Sequence, residues 1–219
     1  MEKYYEILMA SPLFAGIDRE DLSSLLNCLQ AQMLTVAKGE PVFLEGDPAG
    51  FVGMVIEGSV QIVRDDYSGN RSIIAHAGAG ELFAEAFACA DVAYMPVSGF
   101  ALQNSRVLML SCRKMLTVCS NACRFHNRLV KNLLQVMAQK SLALSQKIQF
   151  MSQKTTRQKL LAYLLDQAKR AGSREFVIPF DRQTLADYLG VERSAMSAEL
   201  SRLRRDGVLD AKGSRFTLL

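Results

Sequence analysis

The sequence predicts an α+β chain in three parts: an N-terminal antiparallel β domain of jelly-roll type over residues 1–112, a connecting helix over 113–151, and a C-terminal winged helix-turn-helix over 152–219. Three observations carry this prediction. From about Gln30 to Ser111, short apolar or alternating runs are divided by Gly, Asp and Asn turns at intervals of about ten residues, the texture of a sandwich or barrel. From Arg113 to Met151 there is neither Pro nor Gly. Beyond Asp181, two amphipathic segments flank Gly190.

The elements follow in order. Asp18 is placed to cap a first helix in DREDLSSLLNCL. The runs MLTVA, PVFLE, FVGMVIE, SVQIV, SIIAHA, VSGFAL and RVLML read as strands, separated by KG, EGD, EG, DDYSGN, GAGE and NS. Between them GELFAEAFACAD breaks the alternation and, rich in Ala, Glu and Phe, predicts a short helix directly after Gly78 and Gly80. Free N–H groups at such a glycine-flanked helix start suit an anion or a carboxylate, which makes this segment the small-ligand candidate.

In the connecting helix, Val130, Leu134, Met137, Ser141, Leu144, Ile148 and Met151 recur at about 3.5-residue spacing, which keeps one stripe against a partner helix and predicts a parallel homodimer seam. A neighbouring stripe of Leu129, Leu133, Val136, Ala143 and Phe150 is expected to pack on the β domain. The alternative is a helix buried within one monomer, but residues 116–150 contain no Asp or Glu, which leaves the exposed face basic or amide.

In the last part TTRQKLLAYLLDQAKRAG is an amphipathic helix that Gly172 terminates, followed by the apolar segment EFVIPF. Asp181 caps RQTLADYLG, whose Leu185, Ala186 and Leu189 share one face. Gly190 supplies the left-handed turn, Val191 and Met196 close the corner, and ERSAMSAELSRLRRDG is the second helix, stopped by Gly207. The final GVLDAKGSRFTLL reads as a hairpin wing around Lys212-Gly213.

Composition bounds the class. Of 219 residues 49% are hydrophobic and 22% charged, ordinary globular values, and no uncharged apolar run approaches the roughly 18 residues of a spanning helix. The opening MEKYYEILMASPLF has acids and tyrosines where a signal peptide is basic and then apolar, so a cytoplasmic protein without a membrane partner is expected. Five cysteines, an odd number, fit reduced thiols better than a disulfide framework. The net charge of +4 is unevenly spread. Residues 1–115 hold 8 Lys and Arg against 14 Asp and Glu, residues 116–150 hold 5 against none, and residues 151–219 hold 13 against 8. An acidic front and a basic rear suggest that the rear meets a polyanion.

This order of parts resembles, over nearly the whole chain, the cyclic-AMP receptor and fumarate-nitrate regulator family of bacterial transcription factors. KGEPVFLEGD, IEGSVQIV, GAGELFAE and TLADYLGVERSAMSAELSRLRRDGVL carry the resemblance. It implies a homodimer that binds a double-stranded DNA operator, whose β domains sense a small-molecule effector and whose recognition helices enter successive major grooves, with RNA polymerase as a further partner.

At the DNA end, Arg193 is the expected base reader, because Arg is bidentate toward guanine and the first residues of a recognition helix reach base edges. Ser194 and Ser197 stand beside it. The best-studied branches of the family carry Glu and a later Arg where Ser194 and Ala198 stand, so their half-site sequences do not carry over. Arg202, Arg204, Arg205, Lys212 and Arg215 are expected at phosphates, which fix register without reading sequence.

At the sensing end the candidate effector contacts are Phe83, Ala84, Glu85, Phe87, Met95, Val97 and Ser98. A cyclic-nucleotide pocket of the family uses a Gly-Glu pair and, further along, Arg-Ser on the cyclic phosphate. Glu85 matches, Ala84 replaces the Gly, and Met95-Pro96 replace the Arg-Ser. A buried phosphate without its Arg loses bidentate, charge-assisted bonds, so an effector other than cyclic AMP is expected. Phe83, Phe87 and Met95 indicate either a more apolar pocket or plain β-domain core.

No cofactor is expected. An iron–sulfur branch needs a Cys cluster near the N-terminus, where only Cys28 lies, and a haem-sensing branch has Cys and His where Ala84 to Ala86 stand. Cys119, Cys123 and His126, spaced i, i+4, i+7, are candidates for a zinc or copper(I) site or for thiol redox sensing, with ordinary packing as the alternative. His76 reads as a strand residue. The sequence argues against two other functions. A cupin-type metalloenzyme needs several His, and the chain has 2. A ligand-binding module acting on another protein needs no basic reading head.

Overall fold

The computed structural model describes residues 4–68, 71–117 and 124–219, and the chain divides into two compact units, Met1–Ala138 and Gln139–Leu219. In the first unit, helices α1 (Tyr5–Ala10) and α2 (Arg19–Cys28) flank a 3-10 turn at Pro12–Phe14. Strands β1 (Gln32–Val36), β2 (Pro41–Phe43), β3 (Phe51–Glu57), β4 (Ser59–Asp65), β5 (Arg71–Gly78) and β6 (Leu82–Phe83) follow. Helix α3 (Glu85–Cys89) then interrupts before β7 (Ser98–Ala101), β8 (Ser105–Ser111) and helix α4 (Cys112–Leu116), and α5 (Arg124–Met151) contributes residues to both units. The strands form two antiparallel four-stranded sheets, ordered β1-β8-β3-β6 and β2-β7-β4-β5, the layered β-roll that the spacing of turns predicts.

The alternation of side chains along each strand decides which core it feeds. Val52, Met54 and Ile56 of β3, with Leu108 and Leu110 of β8, enter a core shared with Leu8, Phe14, Leu22 and Leu25 of the N-terminal segment and with Leu129, Leu133 and Val136 of α5. Out of phase with them, Val55 and Val107 enter a second core with Phe43, Val60, Ile62, Phe83, Met95 and Val97. The rings of Phe43 and Phe83 stack at 6.1 Å with 8° between their planes. Glycine makes room for them: a Cβ at Gly53 would lie 2.1 Å from the Phe83 ring, and one at Gly99 would lie 2.3 Å from Phe43.

Three expectations need correction. The helix anticipated from Arg113 is two helices. Residues 112–116 form α4 alone, and Thr117 turns extended while its hydroxyl and its N–H both donate to the Arg113 carbonyl, a local bond that competes with further helix. The second stripe of the long helix divides, since Leu129, Leu133 and Val136 are buried with the β-roll, Ala143 is exposed, and Phe150 joins the C-terminal core. The glycines before α3 present no free anion cradle: the Gly78 N–H donates to the Glu81 carboxylate at 2.8 Å and the Gly80 N–H to the Val55 carbonyl at 2.8 Å.

In the second unit, α6 (Thr156–Ala171) begins where the Thr155 hydroxyl accepts from the Gln158 N–H and ends at left-handed Gly172. Strand β9 (Glu175–Val177) leads to α7 (Arg182–Leu189), capped by the Asp181 carboxylate, which accepts from the Thr184 N–H at 2.8 Å. That bond holds Asp181 below the usual carboxylate range. Gly190, at φ 59, turns the chain into α8 (Arg193–Arg205). Strands β10 (Leu209–Lys212) and β11 (Arg215–Leu218) form the expected wing, and β9 adds to β11 to complete a three-stranded sheet. Leu160, Leu164, Leu185, Ala186, Leu189, Met196, Leu203 and Phe216 fill the core between them. Among the described residues, no helix is long and apolar enough to cross a membrane.

The fit of Phe83 over Gly53 gives a direct test. Gly53→Ala should overpack the β-roll and destabilise the protein by about 1–3 kcal/mol, read as a lower urea midpoint at unchanged slope.

Candidate functional site

Helix α8 organises the candidate nucleic-acid interface. At 100° per residue its buried side is Met196, Glu199, Leu200 and Leu203. Arg193, Ser194, Ser197, Ser201, Arg204 and Arg205 are exposed and lie within about 120° of one another on the flank beginning beside Leu200. Its start is fixed by Glu192, whose carboxylate accepts from the Ser194 and Ala195 N–H groups at 3.1 and 2.9 Å and from the Ser194 hydroxyl. These bonds, the hydroxyl's first, hold Glu192 below the usual carboxylate range. Ser194 therefore serves the cap, and Arg193 is the long polar side chain at the mouth of the helix.

The remaining predicted basic residues divide by surroundings. Arg202 donates to Glu199 at 3.2 Å, and Arg157 of α6 donates to Glu199 at 3.2 Å and to Asp206 at 3.0 Å, a network that ties α6 to α8 around a buried carboxylate. Arg215 is paired with Glu175 at 3.0 Å, bracing the wing to β9, whereas Lys212 is exposed at the wing tip beside left-handed Gly213. Arg205 lies on the reading face, and Arg204 sits beside it, paired with Asp210 at 2.9 Å.

One residue that the sequence did not single out belongs to this surface. Arg182, at the first position of α7, lays its guanidinium over the Phe216 ring at 4.9 Å, and its buried Nη1 has no hydrogen-bond partner among the described residues. Burial first, and repulsion from Arg204 second, lower it from the usual arginine range. It lines a groove of about 200 Å³ with Ser197, Leu200, Ser201, Arg204 and Ala211. Two guanidiniums and two serine side chains line it, a chemistry that suits a phosphate, with Arg204 also held by Asp210 and the Ser201 hydroxyl donating to the Ser197 carbonyl. Only the fold brings α7, α8 and the wing together, so no sequence motif marks the groove.

The candidate effector residues converge, but as packing. Phe83, Ala84, Met95 and Val97 are buried in the core between the two sheets, with Phe87 half-buried against it. The Ser98 hydroxyl accepts from the Glu45 N–H at 2.9 Å, and Glu85 is buried at the start of α3. Ala84, standing where the resemblance has Gly, still adopts the left-handed conformation, φ 63, that Gly takes without strain. His126 is buried, its Nε2 3.2 Å from the Lys114 carbonyl and 4.0 Å from Cys28 Sγ. A carbonyl only accepts, which assigns the Nε2 proton. Cys119 and Cys123 lie outside the described residues, and among the described residues no three His, Cys, Asp or Glu side chains gather as metal ligands. His76 is an exposed residue of β5, opposite Gln61, as expected.

Residues 33–122 match the model of the cyclic nucleotide-binding domain, and residues 158–219 match that of the Crp-like helix-turn-helix domain. A sensor-type β-roll joined to that DNA-binding module defines a transcription regulator. The cyclic AMP receptor protein of Thermus thermophilus is 25% identical over 202 residues, covering 92% of this chain and 89% of its own. The crystal structure of the catabolite activator protein from the same organism superposes with a TM-score of 0.50 at 25% identity, covering 95% of this chain and 94% of its own. The c-di-GMP-responsive global regulator of Xanthomonas campestris shares the fold, with a TM-score of 0.59 at 20% identity over 92% and 99% of the two chains. The chain belongs to the Crp/Fnr family of transcription regulators, and these relatives are regulators, not enzymes.

Substitutions separate reading from anchoring. Arg193→Ala should cost roughly 1–3 kcal/mol in operator binding and relax preference at one base position, as seen by competition with single-base operator variants. Arg182→Gln and Arg205→Ala should instead weaken all duplexes alike, each reducing the slope of log affinity against log salt by about 1.

Proposed function

We propose that this protein is a homodimeric, sequence-specific regulator of transcription whose β-roll answers a small effector other than cyclic AMP. The observation that carries the reading is the exposed face of α8, on which Arg193, Ser197, Ser201, Arg204 and Arg205 stand clear of the core beside the Arg182 groove. Arg193 reads a base edge, while Arg182, Arg204, Arg205 and Lys212 meet phosphates.

Dimer formation is supported by the α5 stripe. Leu134, Leu144 and Ile148 are 62, 59 and 59% exposed, Met151 is 41% exposed, and Val130 and Met137 are half-buried. Covering a large aliphatic side chain gains about 1.5–3 kcal/mol, and a second copy carries the same stripe at the same spacing. A two-fold dimer then presents two α8 helices to half-sites about 34 Å apart.

Effector control follows as a population shift: the ligand binds best to the dimer whose α8 helices match that spacing. Cyclic AMP fits the sensor poorly, because Met95, in the place of the family's phosphate-binding Arg, is 1% exposed and packs in apolar core. The candidate site side chains are apolar apart from Glu85 and Ser98, which suits a small molecule with an apolar body. The protein works in the cytoplasm, with RNA polymerase as its partner at promoters.

The double substitution Leu144→Glu and Ile148→Glu changes exposed positions and should leave the fold intact. Sedimentation should show monomers, and affinity for a palindromic operator should fall about 100-fold or more as the second half-site loses its tethered partner. In a thermal-shift screen of metabolites, cyclic AMP should leave Tm unchanged while the true effector raises it; a shift with cyclic AMP would contradict the assignment.

A further inference from the structure

Two cysteines far apart in sequence meet in the β-roll unit. Cys89 ends α3 and Cys112 begins α4, and their Sγ atoms are 3.9 Å apart. Cys112 is 2% exposed, whereas Cys89 is only half-buried. The pair is reduced here, and burial raises both thiols, Cys112 to about 12, so the resting state is two protonated thiols in contact. A disulfide needs the sulfur atoms about 2.05 Å apart, so closure asks for an approach of roughly 2 Å. Cys89 sits at the last position of a five-residue helix, where a change of rotamer supplies part of it.

We propose that Cys89 and Cys112 are the site of a reversible disulfide formed by exchange with a low-molecular-weight disulfide. The Cys89 thiolate, its proton lost to solvent, attacks one sulfur of the reagent. This forms a mixed disulfide and releases one thiolate, which takes up a proton. Cys112 then attacks Cys89 Sγ and gives up its proton to the departing thiolate, closing the protein disulfide and releasing the second thiol. The two cysteines lose two electrons together, and the reagent gains them as two thiols.

The place of the link gives it a consequence. Helix α3 starts at Glu85, among the candidate effector residues, and α4 runs directly from β8 toward α5. Tying their facing ends couples the α3 segment to α4, which precedes in sequence the helix stripe assigned to dimerisation. This switching role rests on the regulator reading proposed above, whereas the site itself rests only on the geometry of the two thiols.

Peptide mapping of the full-length protein after treatment with oxidised glutathione and alkylation of remaining thiols tests the site. The expected result is a Cys89–Cys112 cross-linked peptide, removed by dithiothreitol and absent from both Cys89→Ser and Cys112→Ser. A stable glutathione adduct on Cys89 with Cys112 still alkylated, or a different pairing, would overturn the proposal. Operator binding by the same samples tests the switch. Oxidation should change Kd by about tenfold in the wild type, within the usual range of allosteric coupling, and leave Cys112→Ser unaltered. An unchanged Kd in a fully cross-linked sample defeats the switching role, and failure of every sample to bind DNA defeats the regulator reading instead.

Discussion

Helix α5 sets the terms for the rest of the molecule. An unbroken run of 28 residues in helix presents more apolar surface than one neighbour can cover. Its stripes therefore go to different destinations. Leu129, Leu133 and Val136 complete the core beneath β3 and β8, Phe150 completes the core of the helix-turn-helix unit, and Leu134, Leu144 and Ile148 remain outside both. Each unit depends on a piece of α5 for its interior, and the leftover stripe is what a second copy would cover. The absence of Asp and Glu along residues 116–150 keeps that stripe free of acidic neighbours from its own helix.

In the C-terminal unit much of the basic charge braces the fold. The ion-pair network of Arg157, Glu199, Arg202 and Asp206 braces α8 against α6, and Arg215 with Glu175 braces the wing. Glu192 and Asp181 cap the two helices of the motif. Charges committed to scaffolding in this way contribute little net attraction to a polyanion. The basic excess of the last part thus overstates the charge left for the contacts proposed for Arg193, Arg182, Arg205 and Lys212.

Much of this was legible in the residues. Strand boundaries followed the Gly, Asp and Asn turns, and Asp181, Gly172 and Gly190 marked helix ends by chemistry that acts locally. What stayed hidden depends on distant partners. No Pro or Gly announces the break after α4, because Thr117 makes it with its own hydroxyl. The left-handed Ala84 is disguised by its side chain. Arg182 and the Cys89–Cys112 pair become visible only once strands and helices remote in sequence are folded together. The sequence named candidate effector positions, but that Phe83 among them lies in a packed interior depends on Phe43, on the opposite sheet.

Phe43 and Phe83 decide how full the β-roll interior is. The interior between the two sheets is a mould cast around two phenyl rings, and the floors beneath them are Gly53 and Gly99, which project no side chain. Shrinking Phe43 and Phe83 would vacate a chamber that is already walled and roofed by Val55, Val60, Met95 and Val97. The free space between the two sheets is therefore set by two side chains rather than by the backbone.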